Sequence, residues 1–287
     1  MVAPAIDIVL HISLEYWWMF FVAFVIATVG NASGVGGGPF FSTIFLLILH
    51  LPAPVAVGTS MLTKAFGLSS GSYAFWKKDM IDFASAKKLL IVAVPLVMIG
   101  SYLVKAVNPS ILTLFIAIII LFISYSIYKT PKEEELKGRS GFEAVRYGKK
   151  SRKLENSFEY LIDTVEGWGL VGLGAFLDGL TSASLGEFNN YLLIVKSRVP
   201  TKNAVATSVF ILAVCSIASA VVLVWSGQPM LEIVIFTIPG VVLGAQVGAR
   251  IAEWINPNLL KKFISLLLVF VSILLIIKAA SGLGIKL

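Results

Sequence analysis

Two polar interruptions hold most of the residues in this sequence that could do chemistry. They are GNASGVGGGPFF, from Gly30 to Phe41, and DGLTSASLGEFNN, from Asp178 to Asn190. Neither sets a nucleophile beside a base: Ser33 has no histidine at a comparable depth, so the sequence does not read as an enzyme. His11 and His50 stand at the ends of apolar segments and Cys215 is the single cysteine, a set that makes no metal centre and no intrachain disulfide. GVGGGPF lacks the closing Gly-Lys-Ser/Thr of a phosphate cradle. Gly34-x-Gly36 lacks the third glycine and the flanking βαβ unit of a dinucleotide site. No cofactor is expected.

What these residue types do suit is the reception of an oxyanion. Pro39 fits the first turn of a helix, where its missing N–H is not needed, and the glycines before it let backbone approach a ligand closely. The orphan amides of such a helix start attract negative charge. The first interruption offers Asn31, Ser33, Gly36, Gly37 and Gly38 as anion contacts; the second offers Ser182, Ser184 and Asn189. A role for the glycines in close helix packing alone is the competing reading.

Lys64 lies in the middle of an apolar segment, where an unpaired charge costs about 2.5–3.5 kcal/mol on insertion scales. Substrate contact is the preferred reading; an ion pair with Asp178 or Glu187, or snorkelling to an edge, is the alternative. Thr59-Ser60 and Thr207-Ser208 offer hydroxyls to an oxyanion, or to the carbonyl one turn back. Asp178 and Glu187 would repel an anion unless protonated or paired, which makes each a candidate proton carrier or a structural acid.

The elements that must position these groups are membrane helices. Mean hydropathy is +0.91, with 57% hydrophobic and 14% charged residues, far from soluble composition. Apolar runs such as Ile111 to Tyr128, Ala204 to Trp225 and Leu259 to Ile277 are long enough to cross a bilayer and lack the alternation of a barrel strand. No Lys or Arg precedes the first run, which argues against a cleavable signal. The net charge of +7 reads as topology and not as nucleic-acid affinity, because the basic residues gather at segment ends.

The chain is also duplicated. Ala56-Val57-Gly58-Thr59-Ser60 matches Ala204-Val205-Ala206-Thr207-Ser208 at an offset of 148, and the same offset aligns Pro52 with Pro200, Gly100 with Gly248 and Asn108-Pro109 with Asn256-Pro257. Five segments are expected in each half: 16–32, 38–50, 54–76, 88–106 and 109–128, then 166–181, 186–196, 202–226, 229–253 and 257–279. Equivalent loops carry opposite charge signals: WKKDMIDFASAKK (76–88) faces the basic-free SGQP (226–229), and the uncharged LPAP (51–54) faces KSRVPTK (196–202). The positive-inside rule then places the halves upside down to each other, with both termini outside; Lys278 and Lys286 stand against the last point.

The expected fold is all-α: a polytopic membrane protein with two inverted-topology repeats and a broken or re-entrant helix hairpin in each. The expected division is a tail (1–15), a first transmembrane repeat (16–128), a cytoplasmic charged linker (129–160) and a second, inverted repeat (161–287). Inverted repeats with broken helices meeting near the midplane are a transporter arrangement.

NASGVGGGPF, then P-x-P-x-A-V-G-T-S, then a repeat ending in Asn-Pro, resembles the TauE/SafE family of sulfite exporters over nearly all of both halves. The resemblance implies a multi-pass cell-membrane protein that moves small sulfur-containing anions, such as sulfite, thiosulfate, sulfoacetate or short organosulfonates, usually outward. Together with the inverted repeats, it makes secondary active export by alternating access the expected function, with Asp178 and Glu187 as proton-coupling candidates. An anion channel, an uptake permease for thiosulfate or another inorganic anion, and an anion sensor are the alternatives. The expected partners are the anion and the lipid bilayer, with no nucleic acid.

Overall fold

A computed structural model describes residues 14–34, 36–129, 165–197, 199, 201–251 and 257–282. Nearly all of the expected tail and linker therefore lies outside the described residues, as do His11, Pro200, Asn256 and Lys286. Among the described residues there are ten α-helices and no strand. In the first half they are α1 (Met19–Ser33), α2 (Gly38–Leu47), α3 (Ala53–Trp76), α4 (Phe83–Leu103) and α5 (Pro109–Lys129). In the second they are α6 (Val165–Thr181), α7 (Leu185–Asn190), α8 (Thr201–Trp225), α9 (Leu231–Ile251) and α10 (Pro257–Gly282). A π turn, Tyr191–Lys196, continues α7.

Among the described residues, three segments are long and apolar enough to cross a membrane by length and composition: Phe83–Ala106, Lys202–Trp225 and Leu231–Ile251. Helix α3 is as long, at 24 residues, but carries Thr59, Ser60, Thr63, Lys64 and Ser72, all buried. It can be polar because α8 and α9 surround it with protein. Helix α2 has only 10 residues, about 15 Å of rise, half of a bilayer core. Nearly all of its side chains are buried.

Helix α4 starts at Phe83, five residues before the apolar run alone indicated. Asp82 is the reason: its carboxylate accepts hydrogen bonds from the amides of Ala84 and Ser85, a helix N-cap that recruits the polar FASAKK turn into the helix.

The halves embrace each other in swapped pairs. Helix α1 packs on α9 and α4 on α6; α3 packs on α9 and α4 on α8; α3 packs on α8, and α5 on α10. Each of these pairings joins one half to the other. Small residues make this possible, as is common in membrane packing. A Cβ on Gly240, Gly244 or Gly248 would lie 2.2–2.4 Å from the carbonyls of Phe20, Phe24 and Thr28 in turn, so α1 and α9 run parallel. Gly172 faces Leu96 and Gly100 faces the Phe176 carbonyl, so α4 and α6 run parallel as well. Gly248 on Thr28 and Gly100 on Phe176 are one contact made twice, 148 residues apart.

The remaining registers are as plain. Thr63 hydrogen-bonds Thr237 at 2.9 Å, and Gln246 donates to Ser70; α3 and α9 are parallel. The Phe83 and Phe210 rings meet at 5.2 Å and Ser101 meets Ser219; α4 and α8 are parallel. Ser124 bonds Ser265 while Ser110 faces Gly282; α5 and α10 are antiparallel.

Candidate functional site

Both polar interruptions break a helix, at equivalent residues. Gly34 and Gly36 take φ of 73° and 87°; their counterparts Ser182 and Ser184 take 60° and 137°. Positive φ is ordinary for glycine and strained for serine, by about 1–3 kcal/mol per residue. The second break thus keeps the backbone path of the first at a cost in strain, and gains two hydroxyls by it.

The breaks touch. A Cβ on Gly38 would lie 1.7 Å from the Ser182 carbonyl oxygen, so the start of α2 rests directly on the end of the second break. Ser60 bridges them: its hydroxyl is 2.7 Å from the Ser182 hydroxyl and 3.5 Å from the Gly38 carbonyl. The opposite contact exists too, with the Ser208 hydroxyl donating to the Gly34 carbonyl at 3.4 Å. Each second serine of the duplicated Thr-Ser pairs therefore binds the break of the other half.

The threonines do something else. Thr59 Oγ1 accepts from the Met230 amide at 2.9 Å, and Thr207 Oγ1 accepts from the Asp82 amide at 3.0 Å. These amides immediately precede α9 and α4, so each threonine satisfies an orphan donor at a helix start in the opposite half. The two bonds map onto each other at the 148-residue offset.

Lys64 is 2% exposed and Asp178 1%. The ammonium donates to both carboxylate oxygens, at 3.1 and 3.0 Å, and to the Ser182 carbonyl at 3.2 Å. Of the alternatives open for Lys64, the ion pair with Asp178 is the arrangement present. Lys64 rises from α3 in the first half and reaches the second break, whereas its counterpart Leu212 lies over Gly36 in the first break. The charge is therefore concentrated on one break.

Glu187 stands close enough to feel both Asp178 and Lys64. It is buried, and neither carboxylate oxygen has a hydrogen-bond partner. Ser184-x-x-Glu187 has the spacing of a capping box, but the Ser184 hydroxyl turns to the Gly174 carbonyl and the box does not form. Asn189 is fully buried with both amide atoms unpartnered.

In the first break Asn31 donates to the Ala27 carbonyl and lays its unpartnered Oδ1 against Gly71 of α3. Ser33 donates to the Gly30 carbonyl, and its own carbonyl accepts from Asn190 at 3.5 Å. The structure thus gathers Gly38, Ser60, Lys64, Asp178, Ser182 and Glu187, leaves Asn31 and Ser33 along the first break, and commits the buried Thr59 and Thr207 to the amides of Met230 and Asp82. Of the Asn189-Asn190 pair in the second break, Asn190 is the member that contacts the first break. Thr63 and Thr237 were passed over by the sequence reading. Only the knowledge that α3 lies on α9 pairs them.

Elsewhere, the Glu166 carboxylate at the start of α6 accepts from Lys196, at the end of the π turn, at 2.6 Å. That hydrogen bond and the carboxylate's charge hold the exposed ammonium above its ordinary range. Lys278 of α10 donates to the Leu46 carbonyl in the last turn of α2, where a cation opposes the helix dipole favourably.

A bundle of helices broken in pairs at a buried polar centre defines a class, that of multi-pass membrane transporters. Within it the particular group is set by comparison. The family model described as "Sulfite exporter TauE/SafE" matches residues 19–275, and the chain belongs to that family. It is also similar to the "Probable membrane transporter protein YunE" of Bacillus subtilis (strain 168), at 26% identity over 260 residues, covering 88% of this chain and 94% of that one. No solved structure matches the chain.

Proposed function

We propose that this protein is a secondary active transporter that exports a small sulfur-containing anion, sulfite or a short organosulfonate, by alternating access. The observation that carries the reading is the meeting of two duplicated helix breaks at one buried polar centre, bridged by Ser60 and charged by Lys64. An oxyanion at that centre would take hydrogen bonds that Lys64 and Ser60 now give to Asp178, Ser182 and Gly38. At the start of α2 the Gly37 and Gly38 amides add donors and a favourable dipole, worth about 0.3–1 kcal/mol, up to about 2 when partly buried.

Helix direction supports an inverted relation between the halves. Helices α1, α3 and α9 are mutually parallel, as are α4, α6 and α8. Helices α3 and α4 are joined by residues 77–82 alone. That link reaches about 25 Å at most, too short to return along a helix of about 36 Å and start again in the same sense. The two sets thus run oppositely, and every equivalent pair (α1 and α6, α3 and α8, α4 and α9) is split between them. The Glu166–Lys196 contact brings the end of the α7 segment back beside the start of α6, which supports a re-entrant hairpin. A hairpin followed by three crossings turns the second repeat over.

The test is flux in proteoliposomes with sulfite, thiosulfate and methanesulfonate. Saturable uptake at transporter rates is the expected result. Folded, reconstituted protein that moves none of these anions would end the reading, and large unitary currents would replace it with a channel.

A further inference from the structure

We propose that Glu187 is the proton site of the transport cycle, and that it takes up one proton for each anion bound. This rests on the anion-transport reading and specifies how the charge of its site is balanced. Lys64 is the one buried cation among the described residues near the breaks, and Asp178 and the Ser182 carbonyl use its donors. That pair is neutral. Glu187 is then a surplus acid, 6% exposed, with no side-chain donor to either oxygen. An anion arriving beside an ionised Glu187 would put two like charges in one desolvated pocket, which buried sites do not tolerate without compensation. A proton on Glu187 removes the conflict, and the carboxylic acid then has an O–H to give the anion.

The surroundings offer no other balance. Helix α7 and its π turn pack against α6, α8 and α5. Helix α6 brings Asp178, already paired, and the exposed Glu166; α8 brings the buried thiol of Cys215 and the exposed Lys202; α5 brings Tyr125, exposed, among its described side chains. The π turn carries Tyr191 and Lys196 at the surface, and Lys196 is engaged by Glu166. Helix α2, across the breaks, has no titratable side chain. The repeat also marks Glu187 as an addition to the scaffold: its counterpart is Pro39, as Leu212 is that of Lys64 and Gly30 that of Asp178. None of the three buried charges is repeated in the other half, so among the described residues there is one such site. Because anion and proton travel together, a monoanion crosses without net charge, and the direction of net movement is set by the anion and proton gradients combined.

The experiment is titration calorimetry of the purified full chain with methanesulfonate and with sulfite, in two buffers of different ionisation enthalpy. Wild type and Glu187→Gln are compared. Methanesulfonate keeps its charge from pH 5 to 9; for sulfite, the difference between the two proteins cancels the anion's own protons. The expected result at pH 9 is about one proton taken up per anion by wild type and none by Glu187→Gln. Wild-type affinity should fall with rising pH, approaching tenfold per unit, while the variant's stays flat. Binding by wild type without proton uptake overturns the proposal and leaves the transport reading standing. Loss of anion binding in a folded Glu187→Gln also overturns it, because the amide mimics the protonated acid. If that variant does not fold, the wild-type proton count with methanesulfonate decides alone. Absence of binding by wild type would remove the transport reading, and this proposal with it.

Discussion

Replacing Lys64 by methionine should unfold this protein more readily than almost any other single change, and replacing Asp178 as well should repair much of the damage. The Lys64 ammonium lies 3.0 and 3.1 Å from the two Asp178 oxygens and both residues are buried. At such a separation two unit charges attract by about 5 kcal/mol at an effective dielectric of 20, most of it offset by desolvation of both ions. The pair as a whole is therefore worth little beside an apolar substitute. A single Lys64→Met or Asp178→Asn leaves one buried ion without its partner, and should cost about 3–5 kcal/mol. Lys64→Met also frees the Ser182 carbonyl, which accepts from the same ammonium at 3.2 Å. In the double variant neither ion of the pair remains, so its loss should fall short of the sum of the singles by about 2–4 kcal/mol. Reversible unfolding in mixed detergent micelles, run on all four proteins, measures this cycle. A double variant as unstable as the two singles added together would show that the charges do not act on each other, and the account of this centre as a neutral pair with a surplus acid would fail.

Other consequences are as direct. Thr59→Val and Thr207→Val each strand one amide at a helix start, Met230 or Asp82, and should each cost about 1–3 kcal/mol; losses that differ widely between the two would deny that the halves repeat one contact. Gly38→Ala drives a Cβ into the Ser182 carbonyl, whereas a Cβ on Gly169 meets nothing within 4 Å. The first should cost about 3 kcal/mol or more and the second should be neutral or stabilise by up to about 1 kcal/mol, as thermal unfolding will report. In a Cys215→Ala background, single cysteines at Ile48 and Lys196 occupy the equivalent ends of the two short helical segments. An impermeant maleimide should label the first from outside intact cells and the second only after permeabilisation; labelling of both from one face would refute the inverted arrangement.

The breaks, the duplication and the short helix after Pro39 were legible in the sequence because each is a local signal: a glycine run, a repeated Ala-Val-x-Thr-Ser, a proline at a helix start. The roles of the polar residues were not, because every one of them depends on which helix lies opposite. Thr59 and Ser60 are neighbours in one helix, yet the first holds the start of α9 and the second the break before α7. No spacing within α3 separates those fates. Lys64 is the same case: its burial followed from its position in an apolar segment, but the choice between Asp178, Glu187 and a ligand turned on where α6 ends relative to α3. The early start of α4 shows a smaller version of the effect, since a hydropathy reading sees Lys87 and Lys88 while the backbone responds to the carboxylate of Asp82.

The duplication makes one further point about how such a site can work. The scaffold contacts come in matched pairs: Thr59 with Thr207, Ser60 with Ser208, Gly100 with Gly248. The charges do not. Lys64 belongs to the first half, while Asp178 and Glu187 belong to the second, so the single charged cluster straddles the surface along which the halves meet. Any rocking of one half against the other, as proposed for transport, must change the distance from Lys64 to Asp178 while leaving the contacts within each half intact. In the present geometry the ammonium is closed on Asp178. A movement that parts them exposes a cation on one half and an acid on the other, and an incoming anion would then compete with Asp178 for Lys64. That competition would couple occupancy to the relative position of the halves, through a contact the symmetric scaffold alone does not supply.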